Sequence, residues 1–281
     1  MTTDCIPPQL EFQGLTRRTV VACFDGGTVS SDGGILLLAE VDRRLGLLEQ
    51  FAACFKDHRN PDLVEHSIEE LVRQRVFGLA LGYEDLNDHD ELRRDPLLAS
   101  VVGKSDPTGS DRRQEQDRGK PLAGKSTLNR LELGAAKQDR YCKISLDTEA
   151  VDRYFVDVFL TAHQKAPAEI VLDLDATDDP LHGEQEGRFF HGYYGGYCYL
   201  PLYIFCGSHL LCARLREANV DASFGAVAEL ERIVVRIRQR WPEVRIIVRG
   251  DSGFAREELM SWCESHDVDF VFGLARNARL Q

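Results

Sequence analysis

No apolar run in the 281-residue chain approaches the roughly 18 residues a membrane helix needs. Its start, Met1-Thr-Thr-Asp-Cys5, lacks the basic and apolar regions of a signal peptide. Neither a membrane helix nor a signal peptide is expected, and a cytoplasmic location is the expectation. Eight cysteines are present (Cys5, Cys23, Cys54, Cys142, Cys198, Cys206, Cys212, Cys263), yet none forms a C-x-x-C pair. Zinc ribbons and redox dithiols are therefore unsupported, and buried free thiols are expected. There is no H-x3-H pair, and no lysine follows Lys165. Basic excess is also missing: 34 Lys and Arg stand against 46 Asp and Glu, a net charge of −12. The charge of the whole chain cannot draw it to a polyanion, so any nucleic-acid contact must use local patches.

What is present is the composition of a globular protein, 43% hydrophobic and 28% charged. Two segments are locally basic. Residues 111–143 carry nine basic against five acidic side chains, and residues 230–249 carry six arginines against Glu231 and Glu243. Arg112, Arg113, Lys120, Lys125 and Arg130 are the first candidates for phosphate contacts, followed by Arg236, Arg238 and Arg240.

A short strand at 19–24 precedes the glycine pairs Gly26-Gly27 and Gly33-Gly34. Helical spacing then runs through 35–55, again after Asn60-Pro61, and over 85–100 with a break at Asp95-Pro96. Residues 104–121 contain only polar residues, glycine and proline, as an exposed loop or linker does. Helices are expected from Ser126 into Leu133 and over 148–164. After Pro167 the period changes. Glu169-Ile-Val-Leu-Asp-Leu-Asp175 reads as a buried central strand, and 197–205 with 209–216 as a hairpin split by Gly207-Ser208. Pro201 inside the first hairpin arm argues for an edge or a bulge. Helix 224–239, strand 244–248, helix 256–265 and strand 268–272 complete an α/β layer with a mixed sheet. The expected organisation is a mainly helical region at 1–103, a polar loop at 104–121, a helical connector at 122–166 and a catalytic domain at 167–281.

The strand ending Asp173-Leu-Asp175-Ala-Thr177-Asp178-Asp179-Pro180 carries the most chemistry. Side chains two apart on a strand share a face, so Asp173 and Asp175 can converge. Carboxylates at a buried strand end are costly unless they hold a cation or pair with a base. Gly119-x4-Gly124-Lys125-Ser126 fits a phosphate-binding P-loop, but no strand precedes it to aim the loop. Asp173-x-Asp175-x-Thr177 matches the signature of haloacid-dehalogenase-type phosphatases, which also need a downstream lysine that this chain lacks. A second acidic strand end, Ile246-Ile-Val-Arg-Gly250-Asp251-Ser-Gly253-Phe254, opens a third reading. Two such strands side by side bring Asp175 and Asp251 to one edge, where divalent metals can activate an attacking oxygen for phosphodiester chemistry.

Asp175-Ala-Thr177 followed by Arg249-Gly-Asp251-Ser-Gly-Phe254 resembles the D-x-T and D-x-G-[FY] blocks of DDE transposases of bacterial insertion sequences, which have a ribonuclease-H-like core. Further segments resemble the IS-thirteen-eighty group: Phe24-Asp-Gly-Gly27, Ser31-Asp-Gly-Gly34, residues 81–89, 122–130 and 173–183, and Phe190-His-Gly-Tyr-Tyr-Gly-Gly196. The resemblance implies a helical N-terminal region followed by a ribonuclease-H-like mixed sheet. It further implies strand cleavage and transfer at terminal inverted repeats, a two-metal site for Mg²⁺ or Mn²⁺, DNA as partner for both repeats and target, and a homo-oligomer at full length. Asp175 and Asp251 match the first two acids, Asp173 is the alternative first acid, and Thr177 a supporting residue. The third acid, a glutamate in a Tyr…Arg…Glu setting, has no counterpart before Gln281. Glu257 and Glu258 are the nearest substitutes. The expectation is thus a core truncated before its last catalytic helix, inactive alone, with a non-catalytic DNA-binding remnant as the alternative. The aromatic run Phe189, Phe190, Tyr193, Tyr194, Tyr197, Tyr199 and Tyr203 reads as a packed hairpin face, or alternatively as a surface for flipped bases.

Replacing Lys125 and Arg130 by alanine is expected to weaken binding to duplex DNA and to lower the slope of log affinity on log salt. Affinity titrations across a salt series check this, and an unchanged slope removes the segment from the interface.

Overall fold

The computed structural model describes residues 10–12, 20–22, 30–133 and 143–275. Cys5, Cys23, Cys142 and the segment 24–27 lie outside them. The chain divides into two compact units, Met1–Asp147 and Thr148–Gln281. No described helix is long and apolar enough to cross a membrane. The described cysteines Cys198, Cys206, Cys212 and Cys263 are free thiols, and burial pushes Cys212 up to about 12 and Cys263 to about 11.

The first unit begins with an antiparallel pair, β1 (Leu10–Phe12) and β2 (Val20–Ala22). The helical stretch expected over 35–55 is two helices, α1 (Ile35–Leu45) and α2 (Leu47–Ala52). Gly46 separates them at φ 65, where its N–H bonds to the Asp42 carbonyl, a left-handed cap that a side chain would strain. Next come β3 (Phe55–Asp57), α3 (Ile68–Ala80), α4 (His89–Leu92), α5 (Pro96–Val102), α6 (Lys125–Glu132) and β4 (Ile144–Leu146), which pairs antiparallel with β3. Ser67 and Glu70 close a capping box on α3, and Asp95 caps α5 ahead of Pro96.

The polar stretch 104–121 is ordered by its own hydrogen bonds. Asp106 accepts from the backbone and hydroxyl of Thr108 and Ser110 and from the Asp111 N–H, which holds its carboxyl well below the usual range. Gly109 sits at φ 69, so close to the returning chain that a Cβ would lie 2.7 Å from the Pro121 nitrogen.

Two histidines are sealed in this unit. Arg112 Nη1 donates to His66 Nε2 at 3.0 Å. Gln74 bridges His89 Nδ1 at 3.2 Å and the Ala123 carbonyl at 2.8 Å. Burial first, then the charges of Lys104, Arg112, Arg93 and Arg59, lowers His66 to about 3. Burial first, then Arg75, lowers His89 to about 4.

The second unit opens with α7 (Thr148–Ala162) and continues with β5 (Glu169–Ala176), β6 (Asp179–Pro180), β7 (Phe189–His191) and β8 (Gly196–Tyr199). The hairpin β9 (Leu202–Cys206) and β10 (His209–Arg214) follows, then α8 (Ala226–Arg240), β11 (Arg245–Gly250), α9 (Glu257–Ser265) and β12 (Asp269–Phe272). The main sheet has the order β10-β9-β5-β11-β12, with β5, β11 and β12 parallel and β9 antiparallel to both neighbours. This is the mixed sheet of a ribonuclease-H-like fold, as the resemblance implied.

The expected strand 197–205 is two strands in different sheets, divided at Leu200-Pro201. β8 belongs to a small sheet ordered β6-β8-β7, and β9 to the main sheet. β5 is also less enclosed than a run of apolar residues suggested. Ile170, Leu172 and Leu174 are buried with Phe159, Leu230, Ile233, Ile237, Ile246, Val248, Leu259 and Trp262 in one core. Glu169, Val171, Asp173 and Asp175 point to the opposite face and are not buried.

Because both sealed histidines are neutral when folded, the unfolded chain binds more protons below about pH 6.5. Their contribution is present above that pH and is lost as pH falls toward 4, by about 2 kcal/mol for each histidine near pH 4.5. Urea unfolding from pH 7 to 4.5 checks this: His66→Gln should decline less steeply than the parent, and an equal slope would discard His66 as a source.

Candidate active site at the carboxyl ends of two parallel strands

The site is set by one register. β11 pairs parallel with β5 from Arg245↔Glu169 to Gly250↔Leu174. Asp175 and Asp251 are each the next residue beyond the last pair, at the carboxyl ends of adjacent strands. The sequence expectation that these two strands are neighbours is what brings 175 and 251 to one edge, and both side chains are exposed.

Asp173, the alternative first acid, is engaged differently. Arg249, its cross-strand partner, grips it with two hydrogen bonds, Nε to Oδ1 and Nη2 to Oδ2 at 2.9 Å. A carboxylate held by a guanidinium fork has both oxygens committed. Asp175 has no such partner among the described residues, so it is the better placed of the two to take a cation.

Three glycines shape the turn that carries Asp251. The Gly253 N–H donates to Asp251 Oδ1 at 2.8 Å, leaving Oδ2 available. A Cβ on Gly253 would meet Asp251 Oδ1 at 3.0 Å and Ala222 Cβ at 2.9 Å. At Gly273 a Cβ would stand 3.0 Å from the Ser252 nitrogen, and at Gly250 one would press on buried Phe254. The Gly-Asp-Ser-Gly-Phe block thus has a physical reason for each glycine: backbone, side chain and core ring approach too closely for a methyl group.

Sequence reasoning missed Tyr194 as a neighbour of the acids. Its hydroxyl donates to the Ala176 carbonyl at 3.4 Å. Burial pushes the phenol pKa up, and the negative charges of Asp178, Asp175 and Asp251 add to the rise. The small sheet thus brings the Tyr194 phenol to the backbone one residue past Asp175.

Other candidates sit elsewhere. Glu257 and Glu258 occupy the exposed first turn of α9, where acids suit the helix dipole. Among the described residues no group of three or more His, Cys, Asp or Glu could hold a metal ion, so neither glutamate joins the aspartates. Thr177 and His182 are exposed, and His191 stacks on Tyr194 with ring centroids 4.8 Å apart. The Gly119–Ser126 match is preceded by turns, and Lys125 Nζ bonds Asn87 at 2.9 Å and Asp90 at 3.1 Å.

The basic segments are largely engaged within the chain. The Arg112 side chain is 9% exposed and binds Glu65 at 3.0 Å and the Lys120 carbonyl at 2.8 Å. Arg113 donates to the Asp62 carbonyl and Lys120 to that of Gln116. Arg236 makes a two-pronged pair with Asp157, and Arg238 holds the carbonyls of His266 and Asp267 at 2.6 and 2.7 Å. Arg130 and Arg240 are exposed and are in no described ion pair.

A ribonuclease-H-like mixed sheet thus carries aspartates at the carboxyl ends of two adjacent parallel strands. The chain matches the family described as transposase DDE domain group 1 over residues 12–281, and it belongs to that family. No curated protein matches the chain. Among solved structures it is similar to the Mos1 transposase paired-end complex with left transposon end, at 14% identity and a TM-score of 0.27. That match covers 76% of this chain and 60% of the other. Family membership also removes the phosphatase alternative, whose nucleophile would be the Asp173 that Arg249 holds.

Gly253→Ala is expected to displace the Asp251 carboxylate and to cost about 1–3 kcal/mol in stability through overpacking. Weakened Mn²⁺ binding by a folded variant, measured calorimetrically, is the outcome that counts; unaltered binding dissociates Gly253 from the site.

Proposed function

We propose that this chain carries the DNA-binding surface and two of the metal-holding acids of an insertion-sequence transposase. The observation that carries the reading is the pairing of β5 and β11, which sets Asp175 and Asp251 side by side in a domain of the transposase DDE family. Two exposed carboxylates with free oxygens suit a hard, oxygen-preferring cation such as Mg²⁺ or Mn²⁺, whose other positions are taken by water or phosphate oxygens. When bound, such a cation lowers the pKa of an attacking water or 3′-hydroxyl and offsets charge on the phosphodiester.

The chain's own residues prepare that edge. The Gly253 N–H orients Asp251, and Arg249 draws Asp173 away from it. Arg130 and Arg240 offer uncommitted guanidinium groups to phosphates, contacts that position a duplex without reading its sequence. Terminal inverted repeats and target DNA are the proposed partners, bound by a homo-oligomer of the full-length enzyme.

A second reading, a chain that binds DNA without cutting it, draws support from the absence of any three-ligand group among the described residues. Asp175→Asn and Asp251→Asn separate the two. Each is expected to weaken Mn²⁺ binding about tenfold or more without weakening binding to duplex DNA. Equal metal affinity in the variants would falsify the site. Mn²⁺-dependent nicking of a labelled duplex by the parent, lost in both variants, establishes the enzyme, whereas duplex binding with no nicking establishes the binding-only reading.

A further inference from the structure

We infer that the hairpin of β7 and β8 is a stacking platform for unpaired nucleobases of a DNA strand at the Asp175–Asp251 edge, an inference that rests on the DNA-binding reading above. Of the seven aromatic residues expected as a packed hairpin face, Tyr199 and Tyr203 are half-buried and the other five are exposed. Phe189 is 38% exposed, Phe190 58%, Tyr193 87%, Tyr194 38% and Tyr197 52%. Isolated exposed aromatics are ordinary, and Phe189 shares the face of inward-pointing Cys198, but Phe190, Tyr193, Tyr194 and Tyr197 fall within eight residues, and patches of this kind mark binding surfaces.

The hairpin is anchored from beneath. Cys198 points inward to a small cluster with Leu200 and Ala218. Phe190 and Tyr197 are cross-strand partners on the outward face, with ring centroids 5.6 Å apart at 76°. The turn places Tyr193 edge-on to Tyr194, at 5.0 Å and 85°. At 87% exposure, most of the Tyr193 ring is open to solvent. The Arg188 guanidinium lies over the Tyr197 ring, 4.9 Å from its centroid, so one flank of the patch also offers a cation.

Position and charge select the occupant. Tyr194, at the tip of the hairpin, bonds the Ala176 carbonyl, one residue past Asp175. The platform is therefore continuous with the acid edge. Carboxylates repel phosphates, so a strand reaching this edge gains more from neutral contacts than from further backbone contacts. A flat aromatic face fits the π-face of a base, which a paired duplex keeps inside its stack. Only a base out of the stack presents that face.

Two oligonucleotides test the platform: a blunt duplex, and the same duplex with a three-nucleotide unpaired 3′ overhang carrying 2-aminopurine. The parent chain is expected to prefer the overhang about tenfold or more, with quenched 2-aminopurine emission on binding. In Tyr193→Ala and Phe190→Ala the ratio of the two affinities should fall toward one and the quenching should be lost. Tyr193→Trp and Phe190→Tyr should restore both. Equal affinity of the parent for the two oligonucleotides, with duplex binding intact, overturns the platform and leaves the DNA reading standing. Binding of neither oligonucleotide removes both. Loss of self-association in Tyr193→Ala by sedimentation velocity, with the overhang preference retained, assigns the patch to a second copy of the chain and likewise overturns the inference.

Discussion

The parallel register of β5 and β11 is the constraint on which the rest of the second unit depends. It brings together strand ends that are far apart in sequence, and every feature of the acid edge follows from where that ladder stops. A slip of one residue would move Arg249 off Asp173 and turn Asp251 away from Asp175. The open face of the sheet carries a lock against that slip: Arg245 bridges Glu169 and Asp269, each at 2.7 Å, and Arg249 pairs with Asp173. Exposed pairs of this kind contribute little net stability. They act alongside the one-sided burial of Ile170, Leu172, Leu174, Ile246 and Val248, which a one-residue slip would turn to solvent.

Packing the helices on one face of the sheet has a consequence for the chemistry. The buried face, with Leu172, Leu174 and Val248, excludes water and could hold a carboxylate only at a heavy desolvation penalty. The opposite face and the strand ends remain open, so Asp175 and Asp251 stay solvated without a compensating base. They remain available to a cation because nothing in the described chain neutralises them. Asp173, one turn of the pleat earlier, lies within reach of Arg249 and is neutralised by it.

Much of the second unit was legible in the sequence. The strands at 169–176 and 245–250, the helices between them and the 202–214 hairpin follow from hydrophobic period and from Gly and Pro punctuation. The carboxylates were legible because they sit at strand ends followed by turn residues. What escaped needed tertiary knowledge. Strand periodicity says that two faces differ but not which face is covered, so the exposed aromatic hairpin was read as packed. Local charge counts record the arginines of 230–249 but not Asp157 or the carbonyls of residues 266 and 267, which come from other elements to bind them. Gly46 is the exception that could have been read, since a glycine at a helix end is the usual signal of a left-handed cap.

These engaged arginines bear on how a chain of net charge −12 meets DNA. Counterion release needs cations that can be given to phosphates, and a guanidinium already bound to an internal carboxylate must first break that pair. Arg112, Arg236 and Arg238 serve as internal struts, whereas Arg130 and Arg240 are uncommitted. On the proposed reading, long-range attraction to a duplex would therefore be weak, and specificity for a DNA end would have to come from contacts that a continuous duplex does not offer. The inferred aromatic platform would supply such a contact, because it would reward a strand already parted from its complement. The same negative edge would then act as a filter: a phosphodiester would settle there only when a cation offsets its charge and the bases beside it have somewhere to stack.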